Sequence, residues 1–175
     1  MAKNKRVAIM VAEQYQVTEV WVPYYRLREA GVVCDFVAIE ANRDYPSKEG
    51  YPCRSTVAVK NAEAADYDCM IVPGGFAPDF MRRNDDMIKF ANDMVNANKI
   101  IASICHGAWL LCSTKIYKGK TATCYKSVRD DIKNAGAKYV DEECVVDGNL
   151  ITSRKPDDLP AFCSAILKAL GKEKS

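Results

Sequence analysis

The residues with the clearest capacity for chemistry are Cys105 and His106, side by side in the run Ala102-Ser103-Ile104-Cys105-His106-Gly107. The apolar stretch 99–104 reads as a buried strand, and residues 108–113 favour a helix. The thiol is therefore expected at a sharp strand-to-helix turn. Such an elbow strains the backbone at the nucleophile and needs small residues two positions to either side. Ser103 and Gly107 supply them, making this the cysteine counterpart of the G-x-S-x-G arrangement. A helix starting beneath the sulfur would favour the thiolate and lower the Cys105 pKa. His106 is the chain's single histidine, and a Cys–His pair can activate a thiol if the ring turns toward it.

A second signal lies after another apolar strand, residues 69–72, which ends on Pro73-Gly74-Gly75. Glycines there let backbone N–H groups approach a substrate, and an oxyanion hole needs two such donors. The Gly75 and His106 amides are assigned to that role. A plain tight turn is the competing reading of the motif alone, and its position opposite the elbow favours the functional one.

The elements that must hold these residues alternate along the chain. Strands are expected over 6–12, 32–39, 69–72 and 99–104, with two short ones around Asp147-Gly148. Helices are expected from Val17 to a stop at Gly31, from a cap at Asn84 or Asp85, from a Ser127/Asp130 capping box to Gly136, and from Pro156. The turn-rich stretch 41–59 reads as a small hairpin excursion. Strands alternating with helices imply right-handed βαβ units and a mostly parallel sheet covered on both faces. Ligands in such folds bind beyond the carboxyl ends of the strands. That edge contains residues 13–19, 73–79, 105–107 and 153–156.

Composition narrows the function further. The chain has 175 residues, 49% hydrophobic and 27% charged, with a net charge of +2, which fits one domain spanning residues 1–175. The near-neutral balance argues against nucleic acid or an acidic membrane as partner. No apolar run is long enough to span a bilayer, and the first apolar run lacks a small-residue cleavage site, so a cytoplasmic location is expected. Cys34, Cys69, Cys124, Cys144 and Cys163 lie in or beside apolar runs and read as small buried hydrophobes. Without a CxxC pair and with one histidine, a structural metal is not expected. The first strand leads to Glu13-Gln14-Tyr15-Gln16 and not to a glycine-rich loop, so no dinucleotide or other cofactor is expected.

With these motifs in order along nearly the whole length, the chain resembles the ThiJ/PfpI family of the class I glutamine-amidotransferase-like superfamily, nearest to the PfpI-type intracellular peptidases. The resemblance rests on residues 22–27, 48–51, 72–79, 102–108, Asp130-Asp131 with 134–136, and 153–159. It implies a flavodoxin-like three-layer α/β sandwich, a nucleophile at Cys105, and an imidazole at His106. It further implies a carboxylate given by a neighbouring subunit, at the position of Asp79, where PfpI-type members usually carry the longer glutamate. Glu19 matches a first-helix glutamate that hydrogen-bonds the sulfur, often in protonated form. Gln16, Lys48, Gly74 and Tyr125 match the substrate pocket. The PfpI-like Glu-Phe-Glu-Asp pattern reads Gln14-Tyr15-Gln16-Val17 here, so two acids have become neutral amides. A homo-oligomer, dimer or hexamer, is implied, and the aromatic residues Trp21, Tyr24 and Tyr25 of the first helix would suit its interface or a broad core stripe.

Three functions remain open on the sequence. The first is a cysteine hydrolase or lyase acting on small carbonyl compounds or peptides, whether peptidase, glyoxalase-like or deglycase-like. The second is a redox-sensing or chaperone-like stress protein whose Cys105 oxidises beside Glu19. The third is an assembly protein with a vestigial site.

Overall fold

The computed structural model describes residues 4–172; residues 1–3 and 173–175 of the expected domain lie outside them. The elements run β1 (Arg6–Met10), α1 (Val17–Glu29), β2 (Val33–Ala38), β3 (Asp44–Pro46), β4 (Pro52–Arg54), β5 (Val57–Ala58) and β6 (Cys69–Val72). Then come α2 (Ala77–Arg82), α3 (Asp85–Asn96), β7 (Ile100–Ile104), α4 (Ala108–Leu111), β8 (Thr121–Ala122), α5 (Arg129–Asn134), β9 (Lys138–Tyr139), β10 (Cys144–Asp147), β11 (Leu150–Ser153) and α6 (Leu159–Ala169).

Seven strands form one sheet in the order β10-β11-β7-β6-β1-β2-β5. All neighbours are parallel except the β10–β11 hairpin. This is the mostly parallel sheet with helices that the pattern predicted, in the flavodoxin-like arrangement that the resemblance implied. The run Val7-Ala8-Ile9-Met10 of β1 is fully buried because β1 has a strand on each side and helices above and below, which removes any solvent face. The excursion is a small separate hairpin, β3 with β4.

The register determines where the site forms. Val72 at the end of β6 pairs with Ser103 of β7, and Ser153 of β11 pairs with Ile104. Three neighbouring strands thus end at one level, delivering Gly74, Cys105 and the loop before Pro156 to one edge. Two backbone bridges at Tyr15, one to Gly75 and one to Ser47, tie the first loop and the hairpin to that edge.

Several local expectations change. The helix after Cys105 is a 3-10 turn, Cys105–Gly107, and then the single turn α4. The Thr114 hydroxyl donates to the Leu111 carbonyl at 2.7 Å, a local bond that competes with further helix. Ser127 caps nothing: it lies inside a 3-10 turn, Lys126–Val128, and α5 has no side-chain cap. On α3, Asn84 caps as expected, accepting from the Met87 amide at 3.0 Å. Its buried face is Met87, Phe90, Ala91 and Met94, with Ile88 and Val95 half-buried. The inner face of the last helix consists of Leu159, Phe162, Ile166 and Leu170, all buried.

Candidate active site

Cys105 sits at the elbow with φ +60, the left-handed region where a side-chain-bearing residue is strained. What holds it there is close packing behind the turn. A Cβ on Gly107 would lie 2.2 Å from the Val72 carbonyl oxygen and 3.0 Å from Ser103 Oγ. Only glycine lets the loop after β7 press against the end of β6. Gly74 is crowded in the same way: its Cβ would meet Glu19 Oε2 at 2.7 Å, Cys105 Cβ at 2.9 Å and the His106 nitrogen at 2.9 Å. The Pro-Gly-Gly turn and the elbow therefore touch through backbone. Gly75 adopts φ +73, and the amides of Gly75 and His106 both reach the Cys105 sulfur.

Glu19, in the first turn of α1, is fully buried. Its Oε2 accepts the Gly74 amide at 2.7 Å. Its Oε1 has no hydrogen-bond partner among the described residues, and the carboxyl as a whole interacts with the Cys105 thiol. Burial pushes this carboxyl up to about 7, against the pull of the Gly74 amide, the thiol and Lys48. The thiol itself goes up to about 12, first through burial and then through the Glu19 charge, while the His106 and Gly75 amides pull it down. The lowered thiol pKa expected from a helix N-terminus is thus corrected. One short turn of helix supplies little dipole, and the buried carboxylate alongside opposes a second negative charge. The two groups titrate as a pair holding one proton between about pH 7 and about pH 12.

The His106 ring does turn toward the sulfur, with Cys105 Sγ 3.3 Å from Nδ1. Tyr125 stacks on its face at 4.9 Å between centroids, and Trp109 meets it edge-on at 5.0 Å. Burial, and then the Lys48 charge, lower its pKa from the ordinary value, so the imidazole is neutral at neutral pH. Its other nitrogen, Nε2, lies 3.3 Å from Ser127 Oγ. Sequence reasoning missed Ser127 because it was spent on a helix cap.

A cavity of about 230 Å³ opens above the sulfur, lined by Gln16, Glu19, Lys48, Gly75, Phe76, Cys105, His106, Tyr125 and Pro156. Gln16 also caps α1, its Oε1 accepting from the Thr18 amide at 2.7 Å. Every expected pocket residue therefore converges here, Gly74 through the contacts already given. Asp79 was expected to reach His106 from a neighbouring subunit. It stands exposed in the first turn of α2 and pairs with Arg83 Nη2 at 3.4 Å, with no ion pair to His106 among the described residues. Glu13 is likewise outside the pocket, paired with Arg43 at 2.8 Å. Phe76, on the rim and largely exposed, was not read as a pocket residue. All eight cysteines are free thiols, and among the described residues there is no cluster of His, Cys, Asp and Glu that could hold a metal ion.

The chain is similar to known proteins over nearly its whole length. YraA of Bacillus subtilis, whose name marks it as a proposed cysteine protease, is 39% identical over 159 residues, covering 91% of this chain and 94% of its own. Protein/nucleic acid deglycase 2 of Escherichia coli is 34% identical over 171 residues, 96% of this chain and 99% of its own. A crystal structure from Anabaena variabilis, of a two-domain protein with DJ-1/ThiJ/PfpI-like and ferritin-like domains, superimposes with a TM-score of 0.95 at 38% identity. That alignment covers 98% of this chain and 51% of the two-domain protein, so this chain spans about half of it. Residues 5–169 match the DJ-1/PfpI family model, and the chain belongs to the DJ-1/PfpI family.

Proposed function

We propose that the chain is a cysteine-nucleophile enzyme acting on small carbonyl compounds or on carbonyl groups of peptides, working without a cofactor in an intracellular setting. One observation carries the reading: a strained Cys105, with two backbone amides converging at its sulfur and a neutral imidazole nitrogen at 3.3 Å. The relatives named as a deglycase and as a proposed cysteine protease support it. Among the described residues no helix is long and apolar enough to cross a membrane.

The chemistry follows from the groups present. A carbonyl carbon enters the cavity above the sulfur. As the S–C bond forms, the thiol proton passes to His106 Nδ1 and the carbonyl π pair moves to oxygen. In this reading the Gly75 and His106 N–H groups hold that oxyanion. The imidazolium then returns its proton to the oxygen, leaving a neutral hemithioacetal. With an amide substrate the proton goes instead to the leaving nitrogen as C–N breaks, and water releases the acyl group from sulfur. Lys48 and Gln16 offer the polar contacts for orienting the substrate, and Phe76 and Tyr125 the apolar ones.

The test is methylglyoxal turnover by the wild type and Cys105→Ser. Loss of turnover in the variant, with the fold intact by circular dichroism, is the expected result. Full activity in Cys105→Ser would overturn the proposal.

A further inference from the structure

We infer that Ser127 is the positioning residue for His106, holding the imidazole as its Nε2–H tautomer so that Nδ1 faces the thiol as an acceptor. The inference rests on the proposed role of His106 as proton carrier. A neutral imidazole has one donor nitrogen and one acceptor nitrogen; the Ser127 hydroxyl can play either part, and with a protonated thiol donating to Nδ1 it serves as the acceptor for Nε2–H. Here Nδ1 is 3.3 Å from the Cys105 sulfur and Nε2 is 3.3 Å from Ser127 Oγ. If Nε2–H donates to the hydroxyl, Nδ1 is free to take the thiol proton. In the opposite tautomer Nδ1–H points at a protonated thiol and no base is available.

The surroundings leave the ring few other choices. Tyr125 covers one face, with planes 28° apart, and Trp109 closes from the side at 73°. The ring is thereby held near one plane, and rotation by 180° is the main alternative the packing permits. Which nitrogen points where is then decided by hydrogen bonding. Ser127 is available for this: among the described residues its hydroxyl makes no capping bond to α5, and its side-chain hydrogen bond is the one to His106. The 3-10 turn Lys126–Val128 directly follows Tyr125, whose amide donates to the Cys105 carbonyl at 3.3 Å. The ring's stacking partner and its Nε2 partner therefore come from one segment pinned to the elbow. This places all three groups, Cys105, His106 and Ser127, within a single chain, whereas Asp79 is paired with Arg83.

The experiment uses the uniqueness of His106. In protein labelled with ¹⁵N at histidine, the ring nitrogens of one residue report the tautomer directly, above the pH at which the ring protonates. The wild type is expected to show the Nε2–H form. Ser127→Ala should shift the population toward a mixture, and Ser127→Thr, which keeps the hydroxyl, should restore it. Where methylglyoxal is turned over, Ser127→Ala should lower kcat by about threefold to tenfold with KM nearly unchanged, the size of one neutral hydrogen bond. An unchanged tautomer population in Ser127→Ala overturns the inference. So does a shift caused by Asp79→Asn instead, which would assign the ring to a carboxylate of a second copy. The resonance measurement needs no turnover, so an inactive wild type would count against the proposed function and leave this test standing.

Discussion

Replacing Glu19 with glutamine should uncouple the Cys105 thiol from its neighbour and change how its reactivity follows pH. The substitution keeps the side chain's shape, and the amide oxygen can still accept the Gly74 N–H that now bonds Oε2 at 2.7 Å. What it removes is a charge. In the wild type the carboxyl ionises at about 7 and the thiol at about 12, with the Glu19 charge second only to burial among the causes that raise the thiol. Two unit charges at a contact distance of roughly 4 Å repel by about 4 kcal/mol at an effective dielectric of about 20. That sets a ceiling of about 3 pKa units on the charge effect. In Glu19→Gln the thiol pKa should therefore fall, while burial, the larger cause, holds it above the ordinary thiol value.

The rate that follows is smaller than the change in thiolate population. Above about pH 7 the wild-type thiolate forms mainly in the fraction of molecules whose carboxyl is still protonated, and any further thiolate of raised pKa is offset in part by its nucleophilicity, with a Brønsted coefficient of about 0.4–0.5. The net gain in alkylation at about pH 8 is on the order of tenfold. Below about pH 6 the wild-type carboxyl is protonated and its charge is gone, so the two proteins should react alike. The ratio of variant to wild-type rates must consequently start to climb at about pH 7, from about 1 below it to about 10 at about pH 8. The assay is the initial rate of iodoacetamide labelling at Cys105, read by peptide mass spectrometry from about pH 5 to about pH 9. A ratio that stays flat with pH, or a variant slower than the wild type throughout, would refute the coupled pair.

The same carboxyl affects folding. Its pKa in the folded protein, about 7, is above the ordinary 4.5, so the folded state binds the proton more tightly than the unfolded state does. That contribution is complete below about pH 4.5 and is lost as pH rises through 7, at a cost of about 3 kcal/mol. Urea unfolding of the wild type should show this loss between about pH 5 and about pH 8, and Glu19→Gln should escape it; equal pH dependence in the two proteins would count against the buried carboxyl. At the other wall of the cavity, Lys48→Met removes the second cause that lowers His106. The His106 titration followed by proton resonance should move upward while remaining below the ordinary value, because burial, the larger cause, is untouched. A midpoint that moves downward or stays fixed would show that the Lys48 charge does not reach the ring.

Much of this site could be read from residue types alone, and the parts that could not share a physical cause. The elbow was legible because a buried strand running into Cys105 with Ser103 and Gly107 beside it makes few other structures possible. Pro73-Gly74-Gly75 was legible for a similar reason, since both glycines answer to backbone contacts that exclude a Cβ. The sheet followed from continuous apolar strands separated by helices. By contrast, β8 and β9 have two residues each, too few to show a period. Helix α2 has six residues and was absorbed into the turn motif ahead of it. Ser127 matched a cap by spacing, yet Val128 occupies the cap position because a 3-10 turn shifts the start of α5. Local patterns do not reveal which of two local uses a hydroxyl takes.

The direction of the thiol pKa shows the deeper limit. Sequence supplies a helix after Cys105, and a helix N-terminus alone argues for a lowered value. The opposing effects, burial and the Glu19 carboxylate, come from α1 packing across the end of β6, a contact made through Gly74. Charge effects grow as water is excluded, so the deciding interaction is the one between segments farthest apart in the chain. A buried thiol held near 12 is a poor nucleophile unless its proton has somewhere to go. The geometry provides two acceptors of different character: a carboxylate that must lose its own proton first, and a neutral imidazole already positioned at 3.3 Å. Between the protonation of the ring, below its ordinary value, and about pH 7 only the imidazole can act, and above that the carboxylate competes while its charge suppresses the thiolate. Catalysis that depends on His106 should therefore be strongest between these two transitions, where the ring is neutral and the carboxyl, still protonated, can donate to the developing thiolate.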